Sequence, residues 1–176
     1  MDVIQWCIDQ HKKTNHMYDE YLPYEFHLRM VFTVGTQFQH LLQVNEKGAI
    51  MLALYGHDLI EDTRTNYNEC VKVLGKKVAD IIYALTNEKG RNRDERADER
   101  YYKGIREESG ADFAKLCDRI ANVQYSKMTQ SSMFKKYQKE NVYFMAGVGY
   151  IPEEPHKYQE MFDYLVELFI SPIPIK

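Results

Sequence analysis

His57-Asp58-Leu59-Ile60-Glu61-Asp62-Thr63 follows the apolar run of residues 49–55 and places four ionisable side chains within six residues. If one helix carries both stretches, His57 and Glu61 lie four apart and share a face, as do Asp58 and Asp62. Burying so many charges uncompensated costs several kcal/mol, so the pattern calls for a partner. Imidazole and carboxylate together suit a borderline divalent metal. The competing explanation is helix-end capping, in which a His complements the negative C-terminal dipole and acids complement the next N-terminus. Ligands elsewhere in the chain decide between the two.

Upstream, His27, Val31, Val34, Phe38 and Leu41 recur at intervals of four and three, the stripe of a helix over about 25–44. His27 heads that buried stripe. The next helix, from about Asn45 into the motif, is apolar nearly all round and belongs at the centre of a bundle. Before both, residues 1–14 show helical spacing, and the polar, aromatic stretch 15–23 ends at Pro23.

Downstream, Thr63-Arg64-Thr65 reads as a turn, and Asn66 with Glu69 as a capping box. Two helical pieces follow, broken near Gly75. Residues 86–100 are highly charged; they read as a solvated loop, with a basic flap of Lys89, Arg91, Arg93 and Arg96 as the functional alternative. Phe113, Leu116, Ile120 and Val123 form a further stripe, within which Asp118 and Asn122 stand one turn apart. The last third predicts a helix over about 134–146, a turn over 147–155, and an amphipathic helix stopped by Pro172 and Pro174. There Lys127, Lys135, Lys136 and Lys139 interleave with Tyr125, Phe134 and Tyr137, which reads as a solvated helix face rather than a nucleic-acid surface.

Strand alternation is absent, so the class is all-α: one bundle of about seven to nine helices over residues 1–176. The net charge of −3 gives no general attraction to nucleic acid or anionic membrane. Three widely spaced cysteines read as reduced thiols of a cytoplasmic protein. Neither a secretory signal nor an apolar run long enough to span a membrane is present.

Two His and two Asp on three helices can converge in a bundle core, where helical proteins build metal sites. The arrangement resembles the HD superfamily of metal-dependent phosphohydrolases, and within it the RelA/SpoT-type alarmone hydrolases and their small single-domain relatives. The blocks carrying the resemblance are Tyr24-Glu25-Phe26-His27, the central motif, Ala84-Leu85-Thr86, and Lys115-Leu116-Cys117-Asp118-Arg119-Ile120-Ala121-Asn122.

The resemblance implies an enzyme that hydrolyses a nucleotide phosphoester or pyrophosphate, with guanosine 3′-pyrophosphate as the leading substrate. It implies one divalent ion on His27, His57, Asp58 and Asp118, typically Mn²⁺, with Fe²⁺, Zn²⁺, Co²⁺ or Mg²⁺ as other choices. Glu61 and Asp62 would manage the attacking water and the proton transfers, and Asn122 would contact the nucleotide. Alternatives are a phosphatase acting on another nucleotide and a non-catalytic binding module on the same bundle. Alarmone hydrolases usually carry an Arg-Lys pair ahead of the metal His; here residues 14–20 hold neither, and Gln124 stands where an Arg is common. His11, Lys12, Lys13 and the Arg-rich 91–100 segment are the nearest replacements. Nothing in the sequence sets the oligomeric state.

Overall fold

The computed structural model describes residues 2–87 and 98–172. Its elements are α1 (Val3–Lys13), α2 (Glu25–Phe38), a 3₁₀ turn (Gln39–Leu41), α3 (Val44–Gly56), α4 (Leu59–Asp62), α5 (Tyr67–Leu74), α6 (Lys76–Leu85), α7 (Glu99–Glu107), α8 (Ala111–Met128), α9 (Ser132–Gly147) and α10 (Gln159–Ile170). The all-α expectation holds. Among the described residues the one extended pairing is an isolated bridge between Met17 and Pro23.

Local chemistry explains where the helices begin and end. Asp2 caps α1 by accepting from the backbone N–H of Ile4 and Gln5 at 3.0 and 3.2 Å. The capping box forms as read: Asn66 accepts from the Glu69 N–H, and Glu69 from that of Asn66, at 3.1 and 2.9 Å. Gly75, at φ 89°, separates α5 from α6 in a conformation that suits glycine.

The long helix over 25–44 is shorter than expected. It ends at Phe38, tightens into the 3₁₀ turn, and extends at Leu42 and Gln43 before α3 starts. The helix over the central motif is also interrupted. α3 stops at Gly56, and His57 and Asp58 form the joint with the single turn α4. This corrects the continuous-helix reading, and the physical reason lies at the joint. Adjacent residues on one helix point about 100° apart, whereas leaving helical geometry at Asp58 (φ −107°, ψ 7°) lets neighbouring side chains meet at one point.

α3 and α8 form the centre. α8 packs against α2, α3, α6, α7, α9 and α10, and α3 against α1, α2, α6 and α8. The buried α2 stripe is His27, Leu28, Val31, Val34 and Phe38, facing Ile50, Ala53 and Leu54 of α3 and Phe113, Leu116, Ile120 and Val123 of α8. α2 and α3 come close at Gly35, where an added Cβ would lie 2.2 Å from Leu54 Cδ1. All three cysteines are free and buried. No described helix is long and apolar enough to cross a membrane.

One expectation about the last third is overturned. Lys127 is not on a solvated face but buried, and its Nζ donates to the carbonyls of Leu168 and Ser171 at 2.6 and 2.9 Å and to Ser171 Oγ at 2.8 Å. It supplies a positive charge to the orphaned carbonyls ending α10, which an ordinary C-terminal turn leaves to water. Lys135, Lys136 and Lys139 are exposed, as expected.

Candidate active site

α2, the α3–α4 joint and α8 bring His27, His57, Asp58 and Asp118 to one point. The Nε2 atoms of His27 and His57 are 3.2 Å apart. His57 Nε2 lies 2.8 Å from Asp58 Oδ2, and His27 Nε2 lies 3.3 Å from Asp118 Oδ1. The longer diagonals, His57 to Asp118 and His27 to Asp58, are 3.9 and 4.0 Å. Donor atoms around one ion at about 2.1 Å sit roughly 3 to 3.5 Å from one another; His27, His57 and Asp118 offer atoms all within 4.8 Å of one another, which suits a single centre, and Asp58 adjoins them at His57. His57 Nδ1 stands 2.9 Å from the Leu54 carbonyl, which fixes its tautomer and turns the Nε2 lone pair inward.

The electrostatics make the same demand. Burial pushes His57 down, yet the carboxylates of Asp58 and Asp118 outweigh it and raise its pKa to about 9. Burial raises the acidic groups, but His57 holds Asp58 below the usual carboxylate range, and Lys115 with the two imidazoles holds Asp118 well below it. Two ionised, partly buried carboxylates thus draw positive charge to the point where the imidazoles meet. The donor set and spacing fit a divalent cation.

Glu61 and Asp62 reach the same cavity, of about 310 Å³, on its open side. They differ in surroundings. Asp62 is pushed up to about 7 by burial and by the neighbouring charges of Asp58 and Glu61, which puts its proton in play near neutrality. Glu61 is bound by Asn87, whose Nδ2 donates to both carboxylate oxygens at 2.9 Å and whose backbone N–H donates at 3.3 Å.

The rest of the wall is aromatic and basic. Lys115 sits 3.2 Å from Asp118. Arg119 lies between the rings of Tyr137 and Phe144, at 4.8 and 4.2 Å from their centroids, and donates to Glu140 at 3.3 Å. Asn122 lines the cavity, but its amide is engaged: Nδ2 donates to Asp118 Oδ1 at 2.5 Å, and Oδ1 accepts from Tyr18 at 2.8 Å.

Of the basic replacements read from sequence, Lys12, Lys13 and His11 do not line this cavity. Lys12 pairs with Glu25 at 3.1 Å and Lys13 bonds Gln10 at 3.3 Å. His11 is buried, its ring stacked on Tyr24 at 4.5 Å. The proposed flap of Lys89, Arg91, Arg93 and Arg96 falls in residues 88–97, outside the described residues. In place of an Arg-Lys pair the loop presents His16, stacked on Tyr24 at 3.8 Å with Nε2 3.9 Å from Asp62, and Tyr18, stacked on His27.

Sequence reasoning missed Tyr18, Tyr24, Asn87, Lys115 and Arg119. Tyr24, which donates to the Asp58 carboxylate, stands three residues before His27, and Lys115 three before Asp118. That helical spacing was a usable signal. Asn87 offered none.

Among solved structures, one described as a metazoan ortholog of SpoT that hydrolyzes ppGpp and plays a role in starvation responses superposes with a TM-score of 0.70. The match covers 95% of this chain and 93% of that one at 18% identity. The chain shares the all-α fold of that structure. Within that fold, sequence similarity runs to two curated proteins named guanosine-3′,5′-bis(diphosphate) 3′-pyrophosphohydrolase MESH1. The one from Drosophila melanogaster is 24% identical and the one from Danio rerio 26%, each over 124 residues, 70% of this chain and 67% of the relative. No protein-family model matches the chain.

Proposed function

We propose that this chain is a divalent-metal-dependent phosphohydrolase of one HD-type domain over residues 1–176, acting on a nucleotide phosphoester or pyrophosphate, with guanosine 3′-pyrophosphate as the leading substrate. The observation that carries the reading is the convergence of the His27 and His57 imidazole nitrogens with the Asp58 and Asp118 carboxylates, beside a cavity lined by His27, Asp58 and Asp118 together with Glu61 and Asp62. The named activity of the relatives and the shared fold support it.

His27, His57, Asp58 and Asp118 hold the ion, for which Mn²⁺ suits the mixed nitrogen and oxygen donors. When bound, it lowers the pKa of water and polarises a phosphoryl oxygen. Asp62, with a pKa held near neutrality, takes the proton from the attacking water and can return one to the leaving oxygen. Glu61, fixed by Asn87, orients that water. Lys115 and Arg119 stand one helical turn apart on α8 and present cationic donors to phosphate charge. Arg119 is pre-oriented by its aromatic sandwich and by Glu140, so it loses little side-chain freedom on binding.

A second substrate reading rests on the loop before α2. Residues 14–20 carry no Arg or Lys where alarmone hydrolases carry two cations, which favours a nucleotide with fewer phosphates. The test is turnover of a panel by the Mn²⁺-loaded protein, with guanosine tetraphosphate beside nucleoside mono-, di- and triphosphates, and products resolved by ion-exchange chromatography. Release of pyrophosphate from guanosine tetraphosphate at the highest kcat/KM is the expected result. Preference for a monophosphate selects the second substrate reading. A loaded protein that binds nucleotides but turns none over leaves a binding module.

A further inference from the structure

The two imidazoles of the proposed centre are not held alike. His57 has the Leu54 carbonyl on its second nitrogen, the usual way a protein fixes a ligating ring. His27 has no such partner: its Nδ1 is buried and makes no hydrogen bond among the described residues. Something else must set the plane of this ring, since a ligand free to rotate about χ2 loses freedom each time it binds. The ring lying flat against it is Tyr18, with centroids 4.7 Å apart and planes only 10° from parallel.

Tyr18 also reaches a second ligand. Its hydroxyl donates to Asn122 Oδ1 at 2.8 Å, which leaves the Asn122 amide nitrogen to donate to Asp118 Oδ1 at 2.5 Å. Asp118 Oδ1 is the oxygen nearest His27 Nε2. Tyr18 itself is clamped by its own loop. Its N–H donates to the Leu22 carbonyl at 2.9 Å, and Asp19 accepts from the N–H groups of Tyr21 and Leu22 at 2.8 Å each. Tyr125 packs edge-on against the Tyr18 ring at 4.8 Å and donates its hydroxyl to Asp19. A loop of residues 15–23 thus presents one rigid aromatic ring to the centre from outside all three ligand-bearing elements.

We infer that Tyr18 is a positioning residue of the metal centre, setting the His27 ring by stacking and Asp118 through Asn122. Asn122 then spends its amide on a ligand rather than on a nucleotide, which revises the substrate-contact role expected for it. The inference rests on the proposed metal site and assigns the loop that departs from the alarmone-hydrolase pattern to metal affinity.

The experiment titrates metal-free protein with Co²⁺, following the visible absorption of the bound ion, for wild type, Tyr18→Phe, Tyr18→Leu, Asn122→Ala and the Tyr18→Leu/Asn122→Ala pair. Wild type should bind one equivalent; no uptake by wild type would remove the metal site itself and the inference with it. With wild-type binding in hand, Tyr18→Leu should weaken affinity about 10- to 100-fold, the usual effect of losing an outer-shell partner. Tyr18→Phe keeps the stack and should lose less. The double variant should lose less than the product of the single losses, because Tyr18 and Asn122 share one path to Asp118. Melting curves of the metal-free proteins check the fold, and Tyr18→Phe keeps the test available if Tyr18→Leu unfolds. Unchanged Co²⁺ affinity in Tyr18→Leu, with only the KM for nucleotide raised, would overturn the inference and make Tyr18 a substrate wall. So would unchanged affinity in both Tyr18→Phe and Asn122→Ala when Tyr18→Leu does not fold.

Discussion

At the scale of single residues, the proposed site divides its carboxylates into those that would hold the ion and those that would work beside it. Asp58→Ala removes a donor at the centre and should abolish tight metal uptake, read by elemental analysis after dialysis. Asp62→Asn should retain the metal and lower kcat by about 10²- to 10⁴-fold, the typical loss when a positioned general acid–base group is removed, and Glu61→Gln should retain it and lower kcat because the attacking water loses the carboxylate that orients it. Asn87→Ala should produce a smaller loss that disappears in the Glu61→Gln background, because its contacts run through that carboxylate. Equal losses in both backgrounds would detach Asn87 from Glu61. His11 carries a pH prediction. Burial and the nearby imidazoles lower its pKa from 6.5 to about 3, against an upward pull from Asp58. The folded chain therefore refuses a proton that the unfolded chain accepts below about pH 6.5. The stability from its neutral form is fully present above that pH and is lost as pH falls towards 3, at about 1.4 kcal/mol per pH unit. Between pH 7.5 and 5, metal-free wild type should lose about 2 kcal/mol more urea stability than His11→Leu. Parallel losses would show that His11 gains its proton readily in the fold.

At the scale of elements, the contact of α2 with α3 can be tested, because the candidate ligand His27 lies on α2 and the candidate ligand His57 directly follows α3. Gly35→Ala would drive a methyl into Leu54 Cδ1, whose backbone carbonyl also fixes His57. Overpacking of this kind costs about 1–3 kcal/mol, and here it should also weaken Co²⁺ affinity, since the strain reaches a ligating ring; a melting-temperature drop with unchanged affinity would confine the strain to packing. Helices with strong periodicity and end signals were legible in the sequence: the His27 stripe, the capping box at Asn66, the break at Gly75 and the Asp118–Asn122 turn. The interruption at His57–Asp58 was not, because no Pro or turn motif marks it, and the short α4 that follows is set against α1 and α6, distant in sequence. The four candidate ligands stood out through the blocks that resemble alarmone hydrolases, with periodicity marking His27 alone on a buried stripe, while His57 and Asp58 lie at a joint outside helical geometry. Tyr18 and Asn87 did not, since they act across separations of 104 and 26 residues from loops with no periodicity.

At the scale of the whole molecule, α8 is the shared member, with Asp118 at the centre and Lys127 fastening the end of α10. Lys127→Met should destabilise the fold by about 1–3 kcal/mol, because the α10 carbonyls lose their donor in a place water reaches poorly; denaturant midpoints measure it, and a change below 0.5 kcal/mol in either direction would show that water replaces the ammonium. The fastening has another consequence. A ligand that binds only the folded form stabilises it by mass action, and the helix that carries the candidate ligand Asp118 is the one on which α10 is latched. Susceptibility of that helix to a protease should therefore fall as Mn²⁺ is added, so that the tail of the chain, far from the chemistry, serves as a gauge of metal loading.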